Sequence, residues 1–159
     1  MRKLFKKTIE EDDITSLLSL QSHNSRHDFI EIGKKIPSFQ RIMDVIESSI
    51  SEIPKWKFPS YFRIENRQKA HPIHYDGCKL DFTPNHMSWC RYSAVSLLTN
   101  NFENGTLRFF DPIEEFETDL YLNTIVYSSH STNKPQKHER DKHLGNRFVL
   151  LMFIATEKS

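Results

Sequence analysis

The spacing of apolar residues changes near residue 60, and the expected secondary structure changes with it. Before that point apolar positions recur at helical intervals. Ile14, Leu17 and Leu18 follow Asp12 and Asp13, either of which suits an N-cap, and Ile42, Val45, Ile46 and Ile50 repeat the pattern. This predicts a helical region over residues 1–55. From Tyr61 the runs are short and rich in β-branched and aromatic residues: YFRI, PIHY, YSAVSLL, TLRFF, NTIVYSS and FVLLMFIA, separated by the turn-formers DG, NNFENG and DP. They lie too close together for crossover helices, so a mainly β sandwich or barrel of antiparallel strands is expected over residues 60–156. HSTNKPQKHERDKHLGN reads as one long polar loop, of the kind that carries function at a barrel mouth. With 159 residues and no internal repeat, a single domain over 1–159 is expected.

Charge and composition narrow the function classes. Twenty-two basic residues stand against twenty-one acidic ones, a balance that predicts no strong attraction to nucleic acid or to an anionic membrane. Gly-rich phosphate cradles are excluded, because there are four glycines and neither G-x-G-x-x-G nor a P-loop. Cys78 and Cys90 are the two cysteines. They rule out a disulfide framework and a C-x-x-C centre and leave room for at most one disulfide. MRKLFKKTIEEDD turns acidic without an apolar core, unlike a secretory signal. The longest apolar run, Phe148 to Ala155, falls well short of the roughly 20 residues of a membrane-crossing helix. A soluble protein is expected, cytoplasmic by default, with no oligomeric state implied.

Candidate chemistry centres on HPIHYDGC, where His74 and Asp76 stand two apart. In an extended strand, residues at i and i+2 project to one face, so an imidazole and a carboxylate can converge on one ion. A surface loop that happens to carry both is the plain alternative. Arg147 opens the most hydrophobic strand, and alternation puts it on one face with Val149, Leu151 and Phe153. A cation on a buried face requires an anionic partner, either a structural carboxylate or a ligand. His138 lies nine residues before Arg147 and offers a second imidazole to the same end of the barrel. Two His and one carboxylate leave open positions on an octahedral ion, the arrangement used by non-haem Fe(II) oxygenases.

With these residues the chain resembles the Fe(II)/2-oxoglutarate-dependent dioxygenases, and among them the prolyl hydroxylases, closest to prolyl 3-hydroxylase (leprecan-like) domains. The resemblance is carried by HPIHYDGC, by YSAVSLLTNNFENGTLRF, and by IVYSS and GNRFVLLMF near the C-terminus. It implies a double-stranded β-helix, or jelly roll, with N-terminal supporting α-helices. It also implies His74, Asp76 and His138 as iron ligands and Arg147 as the clamp for the far carboxylate of 2-oxoglutarate. His138 matches the usual spacing before the basic clamp, whereas His130 and His143 do not. The implied cofactors are Fe(II), 2-oxoglutarate and O2, with ascorbate as reductant. The implied partner is a peptide or protein substrate hydroxylated at proline, and the endoplasmic reticulum lumen becomes a second candidate compartment. Leu97 stands where relatives often have a Tyr touching the cosubstrate, Thr99 where they often have Asn, and Asn104 where they have the first Gly of a pair.

Two rival classes use the same scaffold: a degenerate binding module, and a cupin-like metalloprotein that works without 2-oxoglutarate. Arg147 separates them from the oxygenase, which alone needs a buried cation facing the metal. Trp56 and Trp89 read as aromatics completing the core. His71, an odd number of positions from His74, is expected on the opposite face of the strand.

Overall fold

The computed structural model describes residues 1–23, 26–57 and 59–157. Among these the chain runs β1 (Arg2–Phe5), α1 (Ile14–Ser19), α2 (Arg26–Gly33), α3 (Pro37–Ser49), β2 (Ile53–Lys55), β3 (Tyr61–Glu65), β4 (His71–His74), β5 (Tyr92–Leu97) and β6 (Phe102–Asn104). It continues through β7 (Leu107–Phe109), β8 (Glu114–Phe116), β9 (Thr124–Ser128), β10 (His138–Arg140), β11 (His143–Gly145) and β12 (Val149–Glu157). All pairings between these strands are antiparallel. The main sheet has the order β1-β9-β5-β12, with β3 and β2 sharing the outer edge of β12. A second sheet, β4-β10-β7-β8, and the pair β6-β11 cover its inner face.

This arrangement explains why every residue of β5 is buried and why β12 is apolar from Val149 to Ala155. Leu150, Met152 and Ile154 face the helices together with Ala94 and Val126, while Val149 faces the interior with Val95, Leu97 and Ile125. A strand buried on both faces loses the apolar–polar alternation of a half-solvated one. The fold is a jelly roll, mainly β, with the helices laid on one side.

The helical layer follows its periodicity. Phe39, Ile42, Met43 and Ile46 form a stripe at helical spacing on α3 and are all buried. Pro37 begins that helix at a position where a missing N–H costs nothing. Asp13 precedes α1 but makes no capping bond to it. Its carboxylate instead accepts from the backbone N–H of Ser38 at 2.9 Å, in the first turn of α3, so it ties two helices together. The expected helical region also begins and ends in strand. Arg2–Phe5 pairs with β9, setting Leu4 opposite Ile125, and Ile53–Lys55 pairs with the end of β12. Such short edge strands are specified by their partners more than by their own pattern. No helix among the described residues is long and apolar enough to cross a membrane. Cys78 and Cys90 are both buried free thiols.

Phe39 is fully buried, with its ring centroid 6.2 Å from that of Phe29 and 6.5 Å from that of Phe62. Phe39→Ala is expected to cost about 3–5 kcal/mol, read as a lowered urea midpoint.

Candidate metal centre

Residues 130–137 of the expected polar loop are irregular, and its remainder forms two short strands, β10 and β11, joined by a turn. Its polarity has a structural cause. On β10 the inward side chains are His138 and Arg140, both buried, and the outward Glu139 meets Arg108 of β7 at 2.6 Å. Polar residues therefore serve both faces, and hydropathy hides the strand.

β10 pairs with β4 so that His138 stands opposite His74, and Arg140 opposite His71. Two steps on β10 thus match three on β4. This is a β-bulge, and the extra residue reverses the side-chain parity of β4. His71 therefore shares a face with His74 instead of opposing it, and the two rings stack with centroids 3.9 Å apart and planes within 17°. Burial, with the nearby charges of His74 and Arg67, pushes the His71 imidazole down to about 4.

His74, Asp76 and His138 each offer a ligand atom within 4.8 Å of the others. His74 Nε2 lies 3.0 Å from Asp76 Oδ1, and His138 Nε2 lies 3.3 Å from the same oxygen. Both rings are oriented from behind: Nδ1 of His74 is 2.8 Å from the carbonyl of Pro72, and Nδ1 of His138 is 2.9 Å from that of Gln136. A carbonyl only accepts, so each Nδ1 carries its proton and each Nε2 presents a lone pair to Asp76 when the ring is neutral. Three lone-pair donors then face one another at a buried point, an arrangement that requires protons or a cation between them. Burial opposes charge on His74, yet the hydrogen bond and charge of Asp76 outweigh it and raise the imidazole above its ordinary value. Burial likewise works against the Asp76 carboxylate, and the two histidines more than compensate, holding it well below the usual carboxylate range.

Tyr127, on β9, was not singled out by its sequence. Its hydroxyl donates to Asp76 Oδ2 at 2.7 Å in a fully enclosed setting, leaving Oδ1 to the histidines. The chain after Asp76 is fixed by close packing, because a side chain on Gly77 would stand 2.5 Å from the carbonyl oxygens of both Cys90 and Ser129.

Arg147, Val149, Leu151 and Phe153 all line the cavity that His74, Asp76 and His138 line, as alternation along the last strand requires. Arg147 is 4% exposed, its Nε is buried without a hydrogen-bond partner, and it forms no ion pair among the described residues. Burial and the neighbouring Arg140 lower its guanidinium to about 10, while Glu65 works in the opposite sense. Glu65 is itself engaged by Arg63 at 2.6 Å. Arg140 is saturated differently, donating to the backbone carbonyls of Asp141, Arg67 and Lys69. The structural ion pair that would explain Arg147 is therefore not formed.

The other histidines lie elsewhere. His130 bonds Arg91 and Thr132, and His143 is buried on β11 opposite Asn104 of β6. Leu97 is fully buried in the apolar interior, and the Thr99 hydroxyl donates to the carbonyl of Asn146. Asn104 takes a φ of 64°, a left-handed conformation that Asn tolerates better than most residues. Trp56 packs against the helical layer, whereas Trp89, expected in the core, lines a groove.

No protein-family model and no curated protein matches this chain. Solved structures do. A prolyl-4-hydroxylase from Pseudomonas putida superposes with a TM-score of 0.64 at 15% identity, covering 98% of this chain and 88% of the other. A 2OG-Fe(II) oxygenase family oxidoreductase from Burkholderia pseudomallei gives 0.61 at 13% identity, covering 97% and 84%. A prolyl hydroxylase from Trichoplax adhaerens, solved with a peptide fragment of the hypoxia inducible factor oxygen degradation domain, gives 0.61 at 8% identity, covering 98% and 83%. The chain thus has the jelly-roll fold of the 2OG-Fe(II) oxygenases. Its structural neighbours include prolyl hydroxylases.

Removing the Tyr127 hydroxyl leaves a buried carboxylate short of a donor. Tyr127→Phe should destabilise the metal-free protein by about 1–3 kcal/mol in urea unfolding. Tyr92→Phe, whose hydroxyl serves the partly exposed Glu52, should cost less than about 1 kcal/mol.

Proposed function

We propose that this protein is an Fe(II)- and 2-oxoglutarate-dependent dioxygenase of the prolyl hydroxylase kind, acting on a C–H bond of a peptidyl proline. One observation carries the reading: three lone-pair donors, from His74, Asp76 and His138, line the same cavity as a buried arginine, Arg147, that forms no ion pair. The donors suit the group. Two imidazoles and a carboxylate form the facial set that non-haem Fe(II) enzymes use, with positions left for a chelating keto acid and O2. Bound iron supplies the coupling of two oxidations by one O2, converting 2-oxoglutarate to succinate and CO2 and a substrate C–H to C–OH.

The remaining work falls to the chain. The carbonyls of Pro72 and Gln136 hold the two imidazoles with Nε2 forward, and Tyr127 occupies Oδ2 of Asp76 so that Oδ1 is the ligand oxygen. Arg147 offers its guanidinium to the far carboxylate of 2-oxoglutarate, in the bidentate geometry arginine favours. Val95, Leu107, Val149 and Leu151 line the cavity and keep water from the reacting atoms. Ascorbate is the expected external reductant. A peptide substrate gains support from the Trichoplax neighbour, whose partner is a peptide.

The two rival classes leave Arg147 without purpose. A binding module has no use for an unpaired buried cation beside three metal donors, and a metalloprotein without 2-oxoglutarate has no carboxylate to give it.

Anaerobic addition of Fe(II) and 2-oxoglutarate should give the visible metal-to-ligand charge-transfer band of the chelate, and a protein that binds both without that band would overturn the reading. His138→Ala should lose iron while His130→Ala and His143→Ala retain it, measured as bound metal after gel filtration. Arg147→Ala should weaken 2-oxoglutarate by about 2–5 kcal/mol, or roughly 30-fold to several thousand-fold in Kd. Unchanged cosubstrate affinity in that variant would refute the clamp.

A further inference from the structure

A second cavity, of about 600 Å³, adjoins the metal centre. Arg63, His71, His74, Asp76 and Phe153 line both spaces, so the outer groove opens onto the point where the donors meet. Its size falls within the range of ordinary ligand sites, roughly 300–1,000 Å³.

The groove walls are aromatic. Tyr61 and Phe153 stack with centroids 6.4 Å apart and planes within 8°, and the Arg63 guanidinium lies 5.9 and 5.7 Å from the two ring centroids. Tyr75 stacks on Phe82 at 5.4 Å. Leu80, on the lining, and Phe82 are 53% and 52% exposed. Large apolar side chains left in water at the rim of a cavity mark a contact surface.

The charges are one-sided. Arg63, Arg67 and Lys79 line the groove, and the single lining carboxylate, Asp76, is already engaged by two imidazoles and a tyrosine. Arg63 is paired with Glu65, but Arg67 and Lys79 form no ion pair and no side-chain hydrogen bond among the described residues. Asp81, near enough to feel Lys79, turns its carboxylate to Thr83. This local excess stands in a chain whose formal net charge is only +1. Cations without partners beside apolar walls complement an anionic chain that also carries apolar side chains. That fits a polypeptide better than a small acid, which would leave most of the aromatic wall uncovered.

We propose that this groove binds an extended peptide segment carrying Asp or Glu beside the residue presented to the metal centre, the carboxylates meeting Arg67 and Lys79. The inference rests on the oxygenase reading for the direction in which the substrate points. It goes beyond that reading in naming the flanking chemistry that the groove selects.

The test is binding, separate from turnover. Labelled short peptides, identical except that Glu, Gln or Lys flanks a central proline, are titrated with the full chain and followed by fluorescence anisotropy. The Glu peptide should bind about tenfold more tightly than the Gln peptide, with the Lys peptide weakest, and the gap should close as salt is raised. Arg67→Gln and Lys79→Gln should each narrow the gap, and Arg67→Glu with Lys79→Glu should reverse the order. Equal binding of the three peptides, or a preference that survives the double reversal, would overturn the proposal. So would free glutamate competing as well as the Glu peptide. The charge-transfer band of the unaltered protein separates the two readings: acidic preference without the band sinks the iron reading and leaves the groove standing, and the band without the preference does the opposite.

Discussion

Electron-rich atoms do not crowd together in a protein interior unless something positive holds them, and His74, Asp76 and His138 crowd within 4.8 Å at a buried point. The surrounding structure prepares that conflict. Backbone carbonyls pin both rings with Nε2 forward, and Tyr127 draws one carboxylate oxygen aside and aims the other inward. Gly77 lets the chain after Asp76 press against two other backbone carbonyls where any side chain would collide. With no cation between them, the Asp76 carboxylate favours the protonated form of His74 and the two imidazoles favour the ionised form of Asp76, which is why His74 is raised and Asp76 depressed. A divalent cation resolves the same conflict without protons.

Rigidity for this comes from the main sheet. β5 and β12 are buried on both faces, the helical layer on one side and the second sheet on the other. Their side chains have little freedom to repack, since interiors are as dense as crystals and tolerate few voids. Arg147 and Tyr127 project inward from this sheet's strands or their ends, whereas His74 and His138 come from the facing one. The site therefore lies between two layers whose separation is set by the apolar packing around it, and donors held this way keep their geometry whether or not a ligand is present.

Legibility in the sequence followed hydrophobic pattern closely. The six strands with strong apolar or β-branched runs all form, as do the helices around Ile14–Leu18 and Ile42–Ile46, and Arg147 lies on the face its alternation demands. What could not be read is equally physical. β1 and β2 are edge strands whose conformation depends on partners distant in sequence. β10 is polar on both faces, since one lines a polar site and the other forms ion pairs with Arg108, so it looked like a loop. The bulge between His71 and His74 changes the parity of a four-residue strand, and no pattern within those four residues announces it. The close approach of His74, Asp76 and His138 was suggested by the i, i+2 spacing and the family resemblance. Tyr127 was invisible because a tyrosine in an apolar strand reads as core until the partner of its hydroxyl is known.

On the oxygenase reading proposed above, the cavity's charges bear on which acid it would receive. Three arginines, Arg63, Arg140 and Arg147, face two carboxylates, Glu65 and Asp76, so the lining carries one excess positive charge with its histidines neutral. A divalent ion raises the excess to three. A monoanionic keto acid would leave two of these charges in a space largely closed to water, whereas a dianion leaves one, and uncompensated charge in such a place is costly. Position sharpens the preference. Arg140 spends its guanidinium on backbone carbonyls and Arg63, though its Nε stays unbonded, is paired with Glu65, which leaves Arg147 as the lining arginine with neither an ion pair nor a side-chain hydrogen bond among the described residues. On the proposed oxygenase reading, the second carboxylate of a keto diacid is the group that would meet the unpaired arginine, which favours 2-oxoglutarate over a keto acid with no second charge.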